Sequence, residues 1–152
     1  MINVVIKLPI LLVVVFILLM SLIDTTDVIT GYAFQYQTLI SSLLFIVGVI
    51  IVAVGGYQFK KANTTVNPMT PEKATQLVTV GLYRYSRNPM YIGFLFWLIA
   101  CALFLGNPVN LLLLPLYVFL VNKLYITPEE NALEVLFEGE FRKYKKRVRR
   151  WL

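Results

Sequence analysis

Histidine is absent from the 152 residues, and cysteine occurs once, as Cys101. The first absence removes the commonest zinc and iron ligand, so no metal site is expected. The second excludes a disulfide framework within one chain, and nothing else in the sequence points to oxidising export. Acids are scarce, eight Asp and Glu against fourteen Lys and Arg, for a formal charge of +6. Seven of those bases fall between Arg142 and Arg150. The excess is therefore a local basic tail, a pattern that suits a membrane surface better than nucleic acid. Charge of either sign is missing from residues 88–122. What the chain has in quantity is apolar surface. It is 59% hydrophobic with a mean hydropathy of +0.75, against about 45–50% apolar residues in a soluble domain.

These runs read as an all-α integral membrane protein with four transmembrane helices. The first span, about 4–23, contains Lys7, which reaches the surface by snorkelling. Its run "LPILLVVVFILLMSLI" imitates a secretory signal, but no small-x-small cleavage pattern follows, so a retained span is expected. The second, about 38–57, offers the twenty apolar residues that a bilayer crossing needs. Ser41, Gly48 and Gly55 recur on it every seven residues and form a small-residue stripe where another helix can approach. The uncharged stretch 88–122 is too long for one crossing, since a straight helix of that length runs about 52 Å at 1.5 Å per residue. "GNP" at 106–108 supplies the turn, giving spans at about 90–105 and 109–125, with Pro115 expected to bend the second of them.

Basic residues set the orientation. Lys60, Lys61, Lys73, Arg84 and Arg87 crowd the loop between spans two and three, whereas the 24–37 loop has only Asp24 and Asp27. The positive-inside rule then places the basic loop and both termini in the cytoplasm, the membrane being the inner (plasma) membrane if the cell is bacterial. "TPEK" at 70–73 and "TPEE" at 127–130 read as helix starts, the second with Thr127 as N-cap and Glu130 closing a capping box. Beyond it an amphipathic helix is expected over about 128–150, with Leu133, Phe137, Phe141, Tyr144, Val148 and Trp151 on one face and bases for anionic headgroups on the other. The whole chain, 1–152, reads as one domain. Because spans three and four form a hairpin, Tyr83 to Tyr91 before its first leg and Tyr125 to Glu130 after its second must lie close together.

"LVTVGLYRYSRNPMYIG", "GNP" and "EENALEVLFEGEFRKYKKRVRRWL" together resemble the membrane methyltransferases that include isoprenylcysteine carboxyl methyltransferases and phospholipid N-methyltransferases. The similarity covers about residues 63–152. It implies a methyltransferase that takes S-adenosyl-L-methionine at the cytosolic face and a hydrophobic or lipid-like acceptor through the bilayer. Carried over by position, it implies cofactor contacts at Gln76, Leu77, Val78, Tyr83, Asn88 and Glu129. Substrate contacts are expected at Arg87, Tyr91, Tyr125 and Glu130, with no metal and no assigned catalytic residue. The residue types suit such a cofactor: a carboxylate for hydroxyl or amino groups, amides for its carboxylate, aromatic faces for a sulfonium. No G-x-G-x-x-G follows a strand, so the binding mode is not of the Rossmann type. Two positions depart from the family pattern. Asn88 stands where many relatives have histidine, and Tyr125 where the prenylcysteine enzymes have an arginine. The plainer readings are first-turn acids that stabilise a helix start, arginines as headgroup anchors and tyrosines as an aromatic belt. The competing functions are a small four-helix transporter, disfavoured because none of the acids lies within a span, and a non-enzymatic membrane scaffold.

Overall fold

A computed structural model describes residues 9–25, 31–62 and 75–152 of the chain. Lys7, Asp27 and the expected helix start at 70–73 lie outside the described residues. Among those described, five α-helices account for most of the chain: α1 (Pro9–Asp24), α2 (Gln37–Lys61), α3 (Pro89–Leu105), α4 (Val109–Val121) and α5 (Thr127–Arg147). Two helical runs, Gln37–Lys61 and Val109–Arg147, are long and apolar enough to cross a bilayer, and Pro9–Asp24 and Pro89–Leu105 are shorter apolar helices.

The expected turn at 106–108 is where α3 ends and α4 begins. Gly106 takes a left-handed conformation (φ 70°) and closes the last turn of α3. A side chain there would collide with the Tyr32 carbonyl oxygen, which would lie 2.4 Å from the added carbon. Asn107 accepts from the Val109 N–H at 3.0 Å through its side-chain oxygen, which starts α4 at Pro108. The segment before α2 is fastened to the same turn. The Gln37 amide donates to the carbonyls of Leu103 and Phe104, and the Tyr32 N–H donates to that of Gly106. Carbonyls left open at the C-terminus of α3 are thus satisfied from outside the helix.

α2 and α3 pack together more extensively than any other pair of elements. Ser41, Gly48 and Gly55 are its buried residues, so the seven-residue stripe is the contact face. A Cβ on Gly48 would sit 2.7 Å from the Gly93 carbonyl oxygen and 2.6 Å from Trp97 Cδ1. The backbones approach that closely because neither glycine has a side chain. The other faces of α2 carry exposed Leu39, Leu43, Phe45, Ile46, Val49 and Ile50, a surface that water would not tolerate but hydrocarbon would. The main core lies on a neighbouring face of α3. Val13, Phe16 and Met20 of α1 meet Phe94, Leu98 and Ala102 of α3 and Tyr117 and Val121 of α4.

Two local expectations are corrected. α4 does not stop before Thr127. It runs through a π turn, Asn122–Ile126, into α5, and Ile126 is itself helical (φ −66°, ψ −46°) with no side-chain cap. Inside a continuous helix the N–H groups of residues 127–130 already have carbonyl partners one turn back, so no open donors remain for a capping box. The terminal helix also ends at Arg147 instead of continuing to 150, and it is broken at Glu138 (φ 28°, ψ −108°), next to Gly139. Phe141, Tyr144 and Val148 pack against Leu77, Leu133 and Phe137 in a second small core. This core draws the chain after α5 back onto the bundle.

Candidate functional site

The chain from Thr75 to Asn88 leads into α3, and the residues after α5 fold back onto its end. Gly81, with φ 61°, opens a short 3-10 turn, Gly81–Arg84. The Gln58 side-chain oxygen, from the last turns of α2, accepts from the Leu82 N–H at 3.2 Å. Tyr83 is buried, its ring edge-on to Phe59 at 5.2 Å, and its carbonyl accepts from the Tyr144 hydroxyl at 2.7 Å. The loop entering α3 is therefore held by α2 on one side and α5 on the other.

Arg87 and Asn88 are held by the C-terminal residues. The Arg87 N–H donates to the Arg149 carbonyl at 2.9 Å. The Asn88 amide donates to the Arg150 carbonyl at 2.9 Å, and Ser86 Oγ donates to the same carbonyl at 3.2 Å. Ser86 Oγ also accepts from the Asn88 N–H at 3.0 Å. Glu130 is the centre of the ionic contacts. Arg87 donates to its Oε1 through Nε at 3.0 Å and Nη2 at 2.7 Å, and Arg150 binds it from the other side through Nη2 and Nε. Arg87 Nη1 reaches the Val148 carbonyl at 2.6 Å. Burial raises the Glu130 carboxyl, but the hydrogen bonds and charges of Arg150 and Arg87 outweigh it, so the group sits below the usual carboxylate range. Arg87 and Glu130, both expected at the substrate, thus pair with each other, and Glu130 pairs with Arg150 as well.

A second group of residues surrounds Glu129, one position earlier. Burial, reinforced by the negative charge of Glu130, pushes the Glu129 carboxyl up to about 7, against a lowering hydrogen bond from Tyr91. Tyr91 packs beside Tyr125 with ring centroids 6.2 Å apart. Burial, and then the charge of Glu129, lifts the Tyr83 hydroxyl well above its ordinary range, which keeps it protonated. Four of the expected site residues, Tyr83, Tyr91, Tyr125 and Glu129, are thereby brought together at the foot of α3. Asn88 borders them at the first turn of that helix. Val78 is buried, Leu77 packs on the second core and Gln76 is exposed.

The sequence reading did not single out several contributors. Arg150 looked like one more base on a surface tail, yet it shares Glu130 with Arg87. Asn122 accepts from Arg150 Nη1 at 3.5 Å and from the Trp151 indole at 3.3 Å, which fixes the tail against the π turn. The available signal was Trp151 itself, an aromatic continuing the apolar face past the last basic pair. The Tyr117 hydroxyl is buried without a partner and lies within electrostatic reach of Tyr91 and Tyr125. Its spacing gave no reason to set it apart from the core.

Among the described residues, no three His, Cys, Asp or Glu side chains gather in a way that could hold a metal. The chemistry offered at the foot of α3 is instead one carboxyl poised near neutrality among phenol rings and amides, suited to a cationic, hydrogen-bonding ligand. The phospholipid methyltransferase family model matches residues 36–140, well over half of the chain. The chain belongs to that family. Among its relatives, the protein-S-isoprenylcysteine O-methyltransferase of Saccharomyces cerevisiae is 31% identical over 125 residues, covering 76% of this chain and 51% of the yeast protein. The enzyme of the same name from Schizosaccharomyces pombe is 39% identical over 72 residues, 47% of this chain and 30% of its own length. An uncharacterised Haemophilus influenzae protein is matched over its whole length, at 41% identity over 63 residues and 41% of this chain. The chain thus spans about a third to a half of the two yeast relatives. No solved structure matches.

Proposed function

We propose that this family member is a four-span membrane methyltransferase that binds S-adenosylmethionine around Glu129 and methylates a hydrophobic or lipid-like acceptor. The observation that carries the reading is the Glu129 cluster: a carboxyl raised to about 7, bordered by Tyr83, Tyr91 and Tyr125, in a chain of the phospholipid methyltransferase family. In this reading α1 to α4 cross the bilayer, and the Glu129 end faces the cytoplasm with the loop bearing Lys60, Lys61, Arg84 and Arg87.

The residues fit the cofactor's charge pattern. When bound, S-adenosylmethionine supplies a methyl group already activated on a sulfonium. Glu129 pairs with its positive charge as the carboxylate, and the faces of Tyr83 and Tyr91 favour a cation beside them. Asn88 Nδ2, one of whose hydrogens goes to the Arg150 carbonyl, offers its second N–H to the cofactor, and Gln76 is the other amide this reading assigns to it. The Glu130 pairings take no direct part. They hold residues 86–88 against 148–151, and so fix where Asn88 and Tyr91 stand. Such positioning is the larger part of what methyl transfer asks of a protein, since alignment of reacting groups contributes roughly 7–11 kcal/mol to rate enhancements.

Neither Arg87 nor Arg150 is free to receive an acceptor carboxylate, because both serve Glu130. This favours an acceptor that presents no carboxylate. Incubating membranes containing the protein with methyl-labelled cofactor, then separating the extracted lipids, tests the reading. Label is expected in an extractable hydrophobic species, and it is expected to vanish with Glu129→Ala. Label equal to that of membranes lacking the protein would overturn it.

A further inference from the structure

A cavity of about 520 Å³ opens between α1, α2 and α3 at the end of the bundle remote from Glu129, with Ile17, Ser41, Phe45, Trp97, Cys101 and Phe104 in its lining. Its size is in the range of ligand sites, about 300–1,000 Å³. Two hydroxyls reach it. That of Ser42 is spent on the Thr38 carbonyl at 2.8 Å. Ser41, only 4% exposed, has its hydroxyl buried with no partner, although buried polar atoms as a rule are hydrogen-bonded. The cavity thus offers an apolar body, and two of its lining side chains carry unanswered hydrogen-bonding groups: the Ser41 hydroxyl, and the Trp97 indole N–H at the closed end against Gly48.

Depth identifies what could answer the Ser41 hydroxyl. Ser41 is four residues into α2, about 6 Å along the axis from Gln37, whose side chain binds the carbonyls at the end of α3. The hydroxyl therefore lies near one end of the apolar run, and Phe45 and Trp97 lie deeper. The rim is apolar and open, with Phe45, Ile46 and Phe104 exposed. The floor is closed: Gly48, Gly93 and Trp97 meet so tightly that even a methyl group on Gly48 would overlap the Trp97 ring. Tyr91 is a further ten residues from Cys101 along α3, about 15 Å away. A molecule in this cavity does not reach the Glu129 cluster and is not the methyl acceptor.

We propose that the cavity is a resident lipid site, filled by one acyl chain of a bilayer glycerolipid whose ester carbonyl accepts the Ser41 hydroxyl. The inference rests on the reading of α1 to α3 as membrane spans and is independent of the methyl-transfer chemistry. An ester carbonyl sits at the boundary between headgroups and hydrocarbon, which is the depth of Ser41, and the chain below it runs along Phe45 towards Trp97.

The test uses the whole chain in nanodiscs containing a phosphatidylcholine with a photoreactive diazirine in mid-chain, with adducts mapped by peptide mass spectrometry. Adducts are expected on residues 41–46 and 97–104 at several times the density found on Leu112 and Phe119, which are exposed on α4. Alkylating Cys101, the single cysteine, with a bulky maleimide after folding should remove the first set and leave the second, as should Ala100→Phe. Replacing the probe's ester by an ether, or Ser41→Ala, should each lower the first set about fivefold, the worth of one neutral hydrogen bond, and the two together should lower it no further. Equal adduct density on both sets, or a first set indifferent to Cys101 alkylation, would overturn the site. Absence of adducts on Leu112 and Phe119 as well would overturn the spanning arrangement beneath it.

Discussion

Glu129 and Glu130 are adjacent in sequence and have opposite electrostatic situations, which makes their titrations separable. Glu129 is raised to about 7 by burial and by its neighbour's charge. Its ionisation is easier in the unfolded chain, so its contribution to stability is full below about 4.5 and is lost as the pH rises through 7. Relative to Glu129→Gln, the wild type should lose up to about 3 kcal/mol across that window, measured as the pH dependence of reversible unfolding in detergent. Glu130 is lowered, so its stabilisation is present above 4.5 and is lost as the pH falls through its depressed value. Glu130→Ala leaves Arg87 without its carboxylate in a site where the two side chains are 11% and 9% exposed, and should cost about 3–5 kcal/mol. In the sequence, connectivity brought the segments Tyr83–Tyr91 and Tyr125–Glu130 together, and the family resemblance implied Glu129 and Asn88 within them. The spacing assigned Glu130 to a helix cap, because the start signal T-P-E-E cannot reveal that a helix is already running through it.

The hairpin of α3 and α4, the turn at Gly106 and the glycine face of α2 were all legible, because each follows from a local rule. Uncharged length limits a crossing, glycine permits a left-handed turn, and a stripe of small residues permits close approach. The π turn at 122–126 and the break at Glu138 follow no such rule. Both are imposed by tertiary contacts, the first by burial of Tyr125 and Ile126, the second by the packing of Phe141 and Tyr144. The α2–α3 contact can be tested with two glycines on one helix. Gly48→Ala places a methyl group within 2.6 Å of Trp97 and should destabilise the bundle by about 1–3 kcal/mol. Gly56→Ala meets nothing within 4 Å and should be neutral or stabilising by up to about 1 kcal/mol. Unfolding of the two variants in mixed micelles compares them directly.

Seen whole, the molecule closes the site at the foot of α3 with its own C-terminal residues. Val148 to Arg150 supply the carbonyls that hold Arg87, Ser86 and Asn88, and Arg150 completes the pairing of Glu130. The basic tail read as a surface feature, since seven bases in nine residues match a headgroup-binding face. Only the fold separates Arg150, turned inward, from Arg142, which pairs with Glu134 at the surface. Deleting residues 148–152 should leave α1 to α4 folded while sharply increasing amide exchange at residues 86–88 and weakening cofactor binding. Titration calorimetry of the purified chain with S-adenosylmethionine, alongside Glu129→Ala and the Gly56→Ala control, tests the central claim most directly. The account predicts saturable binding by wild type and control, with affinity lower by about tenfold or more in Glu129→Ala, the worth of a hydrogen bond to a charged group. Undiminished affinity in Glu129→Ala would contradict it.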